Sequence, residues 1–244
     1  MRCCNAYESA SMAGVMGETL RPGGFSLTEK AVRYCGLTAD DTVLDLGCGR
    51  GATVNYLYSN HHIRAVGIDP SAKLIEDAKK AFAYADFYFG RGENLQFEDG
   101  SFRCVFAECT LSLMDNLQGT LAQVCRVLGN GGWFAVTDVY ARKPKAVGAL
   151  HDFTFNSCMR GLHDLEKLKA MLLETGFRIE LCEDCSELLR ELLVKAVFSY
   201  GSMDAFWNVS TDGCMDGCGF QEAIKRCRPG YFILIARKEA TENG

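Results

Sequence analysis

The residues best suited to chemistry cluster between positions 43 and 69. Val43-Leu44-Asp45-Leu46 is a short apolar run that opens into Gly47-Cys48-Gly49-Arg50-Gly51. Glycines at alternate positions let the backbone turn sharply and lie close against a ligand. Asp69 closes the next apolar run, Ile63 to Ile68, and is followed by Pro70-Ser71. A carboxylate at that point can accept two hydrogen bonds from vicinal hydroxyls such as those of a ribose. Asp45, just ahead of the glycine loop, would repel a pyrophosphate but suits an ammonium group. The loop reads GxGxG, not GxGxxG. Spacing and charge together favour S-adenosylmethionine over a nicotinamide dinucleotide.

Such residues need a frame. Thr42 to Leu46, Ile63 to Ile68, Asp86 to Phe89, Phe102 to Ala107, Trp133 to Val139, Phe177 to Cys182 and Tyr231 to Ala236 are short apolar runs that predict strands. Between them, helical stripes are expected at Ser26–Tyr34, Ala52–Ser59, Leu117–Leu128, Asp164–Thr175 and Ser186–Phe198. A further stripe runs through Leu74, Ile75, Ala78, Ala81 and Phe82, with Pro70 expected in its first turn. Residues 200–229, rich in Gly and Cys, are expected to be mostly irregular. Alternation of this kind predicts an α/β, Rossmann-like doubly wound sheet. Ligands then gather at the carboxyl ends of the strands. Those ends are Asp45–Gly51, Asp69, Gly90–Asn94, Glu108–Cys109 and Asp138–Tyr140.

From Thr42 to Thr137 the chain resembles the class I S-adenosylmethionine-dependent methyltransferases. Thr42-Val-Leu-Asp-Leu-Gly-Cys-Gly-Arg-Gly51 is similar to their first motif and Gly67-Ile-Asp-Pro-Ser71 to the second. Gly90-Arg-Gly-Glu-Asn-Leu-Gln-Phe97 resembles the family's GDAExLPF segment, and Arg126-Val-Leu-Gly-Asn-Gly-Gly132 its RVLKPGG segment. The resemblance implies seven strands with the last antiparallel, S-adenosylmethionine as cofactor, and methyl transfer. It implies cofactor contacts from Asp45, Gly47, Cys48, Gly49, Gly51, Asp69, Pro70, Gly92, Glu93 and Glu108. One departure bears on the cofactor. Arg91 stands where the family has an aspartate facing adenine, and arginine cannot accept from the adenine amine. Backbone groups of Gly92 and Glu93 are expected to serve instead.

The domain is expected to span 26–244, with an N-terminal lid over 1–25 and cap insertions at about 140–163 and 185–229. The methyl acceptor must be sought in those segments. No universal catalytic base marks this family, so His151, Tyr140 and Cys158 stand as candidates, with His163 beside them. A narrower similarity joins Arg126–Tyr140, Cys158-Met-Arg-Gly161 and Thr175-Gly-Phe177 to arsenite methyltransferases. There Cys158 matches a cysteine that binds trivalent arsenic with a second, more C-terminal one. Cys214, Cys218 and Cys227 are the possible partners. Cys158, Cys214 and Cys218 also form a candidate thiolate metal site, though no metal is the favoured reading. Cys182-Glu-Asp-Cys185 has CxxC spacing but lies at a strand end. Cys109 is expected to line the cavity. Tyr140, Phe153, Phe155 and Trp207 are candidates for an aromatic wall.

Composition narrows the classes that remain. The 244 residues are 48% apolar, and 26 basic against 31 acidic side chains give a net charge of −5. A mildly acidic chain without a basic run is a poor binder of nucleic acid. No apolar run approaches the ~20 residues that span a bilayer, and no apolar signal core is evident near position 1. Thirteen cysteines, an odd number, then suggest a reducing cytoplasm rather than a disulfide scaffold. A small-molecule methyltransferase is the expectation, with a metalloid methyltransferase or a non-catalytic cofactor-binding protein as alternatives. The sequence does not fix the oligomeric state.

Overall fold

The computed structural model describes residues 4–8, 14, 17, 19–211, 213 and 216–240. In chain order its strands are β1 (Cys4–Asn5), β2 (Thr42–Leu46), β3 (Arg64–Asp69), β4 (Asp86–Phe89), β5 (Phe102–Glu108), β6 (Leu128–Ala141), β7 (Phe155–Asn156), β8 (Phe177–Asp184) and β9 (Pro229–Lys238). The helices are α1 (Ser26–Cys35), α2 (Ala52–His61), α3 (Ala72–Ala81), α4 (Leu117–Val127), α5 (Leu165–Glu174), α6 (Ser186–Tyr200), α7 (Met203–Ser210) and α8 (Gly217–Cys227).

Seven strands form the main sheet in the order β4-β3-β2-β5-β6-β9-β8. β2, β3, β4, β5 and β6 are mutually parallel, and β9 runs antiparallel to both of its neighbours. The expected seven-stranded Rossmann-like sheet with an antiparallel last strand is therefore present. The central strands read as unbroken apolar runs because both of their faces are covered. Val43, Cys104, Phe106 and Ala135 pack into one core layer, while Leu44, Leu46, Val105, Phe134 and Val136 pack into the other.

Helix ends follow local chemistry. Ser71 caps α3 by accepting from the Leu74 amide, and Asp164 caps α5 by accepting from Lys167. Pro70 thus lies ahead of the N-cap rather than in the first helical turn. β6 begins at Leu128, five residues earlier than expected. Leu128 pairs with Phe102, and the ladder resumes at Cys104 and Trp133. The Gly129–Gly132 stretch is accommodated as an irregularity inside the strand.

The expectation of irregular structure over 200–229 is wrong. α7 and α8 occupy most of it. Ser202 and Asp216 cap them. Phe220, Ala223, Ile224 and Cys227 are buried at helical spacing. The glycines at 217 and 219 sit in the first turn of α8, where they do not interrupt the stripe. Phe155, Phe206, Trp207 and Phe220 then pack ring against ring, with Phe220 edge to face on Phe155 and Trp207, so the aromatic wall expected from Phe155 and Trp207 is cap core. β1 and β7 pair in parallel, Cys4 with Phe155 and Asn5 with Asn156, tying the start of the chain to the cap. Among the described residues, no helix is long and apolar enough to cross a membrane.

Candidate active site

A cavity of about 520 Å³ opens at the carboxyl ends of β2, β3 and β5. Its size is ordinary for a small-molecule site. Its floor is the turn after β2. Gly47 and Cys48 both donate to the Ile68 carbonyl, at 2.8 and 3.1 Å, and Gly51 donates to the Cys48 carbonyl at 2.8 Å. Gly47 sits at φ +77°, and a Cβ there would stand 2.1 Å from Thr110 Oγ1. Gly47→Ala is therefore expected to cost about 2–4 kcal/mol through left-handed strain and overpacking. Urea denaturation checks this, and a loss below about 0.5 kcal/mol would contradict the geometry.

Asp69 holds this turn against the next helix. One carboxylate oxygen accepts from the Gly49 amide at 3.0 Å and the other from Ser71 at 2.8 Å. Each keeps a lone pair for a further donor. Burial raises its pKa, the two backbone bonds oppose the rise, and Glu8 adds to it. Glu8 itself reaches the site from a short 3-10 turn, Ala6–Glu8, where it accepts from the Ser71 hydroxyl at 2.7 Å. Cys48 lines the cavity, with its thiol packed over Gly67.

Two cavity carboxylates have buried oxygens without any hydrogen-bond partner: Asp45 Oδ2 and Glu93 Oε2. Such orphans are rare enough to ask for a reason. Burial first, then the negative charges of Glu108 and Asp69, push the Asp45 pKa to about 8, with Arg21 pulling the other way. Glu93 uses its other oxygen to accept from the Asn116 amide at 3.4 Å. Arg91 is engaged by Asp115 at 3.1 Å, in a largely exposed pair. This leaves Gly92 and Glu93 facing the cavity at that end, the arrangement in which a carboxylate can accept from an exocyclic amine. Glu108 also lines the cavity, but its oxygens are already engaged by Thr28, Thr53 and Arg21 at 2.8, 2.9 and 2.9 Å.

Asp45, Gly47, Cys48, Gly49, Asp69, Pro70, Gly92, Glu93 and Glu108 all line the cavity, and Gly51 closes its floor turn without lining it. The candidate catalytic groups fare differently. His151 is exposed beyond a 3-10 turn, Pro144–Leu150, and does not line the cavity. Tyr140 leaves β6 on the sheet face opposite Val139, where its hydroxyl donates to Asp184 at 2.7 Å. His163 is buried with Nε2 3.3 Å from Asp138 Oδ2, next to Phe232. Strand alternation sends Tyr140 to the other face.

Cys158 is buried in the cap rather than in the cavity wall, and its amide donates to the Tyr7 hydroxyl at 3.0 Å. The Cys109 thiol, which does line the cavity, lies 3.4 Å from the Tyr231 hydroxyl. The neighbouring Cys158 thiol, with burial, pushes the Cys109 pKa well up. Cys109 also has φ +55°, an uncommon backbone state for a residue with a side chain. Cys218 is exposed on α8, Cys227 is buried against the Ala223 carbonyl, and Cys214 lies outside the described residues. Among the described residues no group of three metal-ligating side chains converges. Tyr7, Arg21, Ser71, Thr110, Asn156 and Arg160 line the cavity too. Sequence reasoning gave none of them a role, although Ser71 closes the quoted Gly67–Ser71 motif and Arg160 lies inside the quoted Cys158–Gly161 segment.

Known proteins resemble this chain. The family described as "Methyltransferase domain" matches residues 44–136. YodH, an uncharacterized methyltransferase of Bacillus subtilis, is 30% identical over 179 residues, covering 70% of this chain and 73% of that protein. The chain belongs to the class I S-adenosylmethionine-dependent methyltransferases. S-adenosylmethionine is accordingly its cofactor.

An O-methyltransferase of Aspergillus sclerotiorum, resE, is 29% identical over 167 residues, and the match spans 62% of each chain. A 27-O-demethylrifamycin SV methyltransferase of Amycolatopsis mediterranei is 26% identical over 239 residues, covering 90% of this chain and 85% of that one. An arsenite methyltransferase of Halobacterium salinarum matches at 29% over 154 residues, 59% of this chain and 39% of its own length. The [4+2]-cyclase SpnF shares the fold over 98% of both chains, with a TM-score of 0.70 at 20% identity.

Proposed function

We propose that this chain transfers the methyl group of S-adenosylmethionine to a small organic acceptor. The observation that carries the reading is the pair of orphaned buried carboxylate oxygens, on Asp45 and Glu93, in the lining of one cavity with Asp69 between them in the chain. A ligand bearing an ammonium, a vicinal diol and an exocyclic amine would satisfy all three. Bound there, the cofactor supplies an electrophilic methyl on a sulfonium that leaves as a neutral thioether. The protein's part is to hold, orient and exclude water. Asp45 holds the ammonium, Asp69 the ribose hydroxyls and Glu93 the adenine amine. The glycine turn keeps backbone close to the methionine portion, and Tyr7 and Glu8 cover the cavity from the N-terminal side.

The long match to a rifamycin methyltransferase supports a small-molecule acceptor. The net charge of −5 disfavours nucleic acid. Ten described cysteines, all as free thiols, suit a reducing compartment such as the cytoplasm. A second reading, arsenite as acceptor, rests on Cys158 being buried as a neighbour of the cavity-lining Cys109.

Calorimetry and labelled-methyl transfer separate these readings. Wild type is expected to bind S-adenosylmethionine, with at least a 30-fold loss in Asp69→Ala, about 2 kcal/mol for removed charge-assisted bonds. Equal binding by the two proteins would remove Asp69 from the site, and no binding by wild type would overturn the reading. Methyl transfer to arsenite with excess thiol, abolished in Cys158→Ser, would establish the metalloid acceptor in place of an organic one.

A further inference from the structure

We propose that Arg160 and Asn156 form a subsite for an anionic oxygen, so that the methyl acceptor carries a carboxylate, phosphate or phenolate. This rests on the reading above, in which the cap end of the cavity receives the acceptor. Four arginines line the cavity, and three are committed to carboxylates. Arg21 pairs with Glu108 at 2.9 Å, Arg91 with Asp115 at 3.1 Å and Arg50 with Asp77 at 3.4 Å. Arg160 meets no carboxylate among the described residues. Its one hydrogen bond runs from a terminal nitrogen to the Phe153 carbonyl at 3.2 Å. A guanidinium carries five donors, so most of its fork remains free. The side-chain amide of Asn156, which lines the same cavity, has no partner among the described residues either.

Acidic groups are plentiful nearby, since Glu8, Asp45, Asp69, Glu93, Glu108 and Asp115 all face this cavity. A mobile arginine would swing to one of them. Arg160 sits on a turn that restricts it. The Ser157 hydroxyl accepts from the Met159 amide at 3.3 Å, and the Tyr7 hydroxyl accepts from the Cys158 amide at 3.0 Å. Gly161 lies so close to the 3-10 turn Leu111–Leu113 after β5 that a Cβ would stand 1.9 Å from the Ser112 carbonyl oxygen. Ser112 is itself fixed to Asp138 by its amide at 2.9 Å and its hydroxyl at 2.8 Å. The cap thus holds a cation and an amide at the cavity wall with donors unspent. A planar guanidinium fork suits a carboxylate, phosphate or phenolate oxygen. Where that ionised oxygen is itself the methylated atom, no proton is released and no base is needed.

The test uses the full chain, free and saturated with S-adenosylhomocysteine, titrated calorimetrically at low ionic strength. The probes are benzoate, inorganic phosphate and 4-nitrophenolate, which separate the three sources of an anionic oxygen. At least one is expected to bind wild type saturably and to bind Arg160→Gln about tenfold or more weakly. Arg160→Lys, which keeps charge but loses the fork, should fall between them. Arg190→Gln, which removes an exposed arginine paired with Glu187 at 3.0 Å, should match wild type. Absence of saturable binding of every probe by wild type, or equal binding by Arg160→Gln, would overturn the subsite. Failure of S-adenosylhomocysteine to bind would instead count against the cofactor reading, while the titration of free protein still decides the role of Arg160.

Discussion

Asp45→Asn is expected to stabilise the protein at alkaline pH and to weaken S-adenosylmethionine binding 30-fold or more. Asp45 is 3% exposed, one of its oxygens has no partner, and its pKa stands near 8 against an ordinary 3.8. A carboxyl group with a raised folded-state pKa binds its proton more tightly folded than unfolded. Its effect on stability is therefore nil below about pH 4, turns increasingly unfavourable as pH rises toward 8, and is constant above. Asparagine removes the ionisation but leaves an amide to be buried. The net gain at pH 9 should be about 2–4 kcal/mol, shrinking toward zero near pH 5. Urea denaturation at the two pH values measures it, and a variant less stable than wild type at pH 9 would refute the cause given for the shift.

The same charge is expected to set cofactor affinity. An ammonium prefers the ionised carboxylate, so wild-type affinity should rise with pH up to about 8, by at most tenfold per unit. The variant, lacking the titrating group, should lose that dependence. Its affinity should fall by about 2–3 kcal/mol for the missing charge-assisted bond. Calorimetric affinities at pH 6, 7 and 8 decide this, and parallel pH profiles would separate Asp45 from the ammonium. Function here is retained at a cost in stability.

Much of this was legible in the sequence. Strands with continuous apolar runs and glycine-rich ends betray a buried parallel sheet, and Asp45, Asp69 and the turn between them follow from strand ends alone. The acceptor side was harder to read. Tyr140 looked available because period-2 alternation around an irregular strand does not say which face holds the cavity, and His163 because no local pattern reveals its burial against Asp138. The α8 stripe at Phe220, Ala223, Ile224 and Cys227 was hidden by neighbouring glycines and cysteines. Glu93 appeared as a backbone contact, because only the pairing of Arg91 with Asp115 shows its side chain to be free for the site. Arg21 escaped notice entirely, since an Arg-Pro-Gly-Gly stretch reads as a solvated loop, whereas its side chain reaches Glu108 across 87 positions of chain.

Arg21 carries the other large effect. It is 5% exposed, and its terminal nitrogens donate to Thr53 Oγ1 at 3.0 Å and Thr28 Oγ1 at 2.7 Å while pairing with Glu108 at 2.9 Å. Thr28 lies on α1, Thr53 on α2 and Glu108 at the end of β5, so one guanidinium joins three elements beneath the cavity. Arg21→Met keeps much of the apolar stem but strands the Glu108 carboxylate in a dry environment. Breaking a buried pair from one side costs about 3–5 kcal/mol. Removing both charges should cost less, because no isolated charge is then left behind. The double variant Arg21→Met with Glu108→Gln is therefore expected to be more stable than Arg21→Met alone, and urea denaturation of the full cycle measures the coupling. Additive losses would mean that the pair is not the linchpin. The same cycle bears on the cofactor. Thr19 and Leu20, which immediately precede Arg21, line the cavity, and Leu20 is held at φ +54°. Loss of the anchor should therefore weaken cofactor binding in step with stability, even though Arg21 is already spent on Glu108.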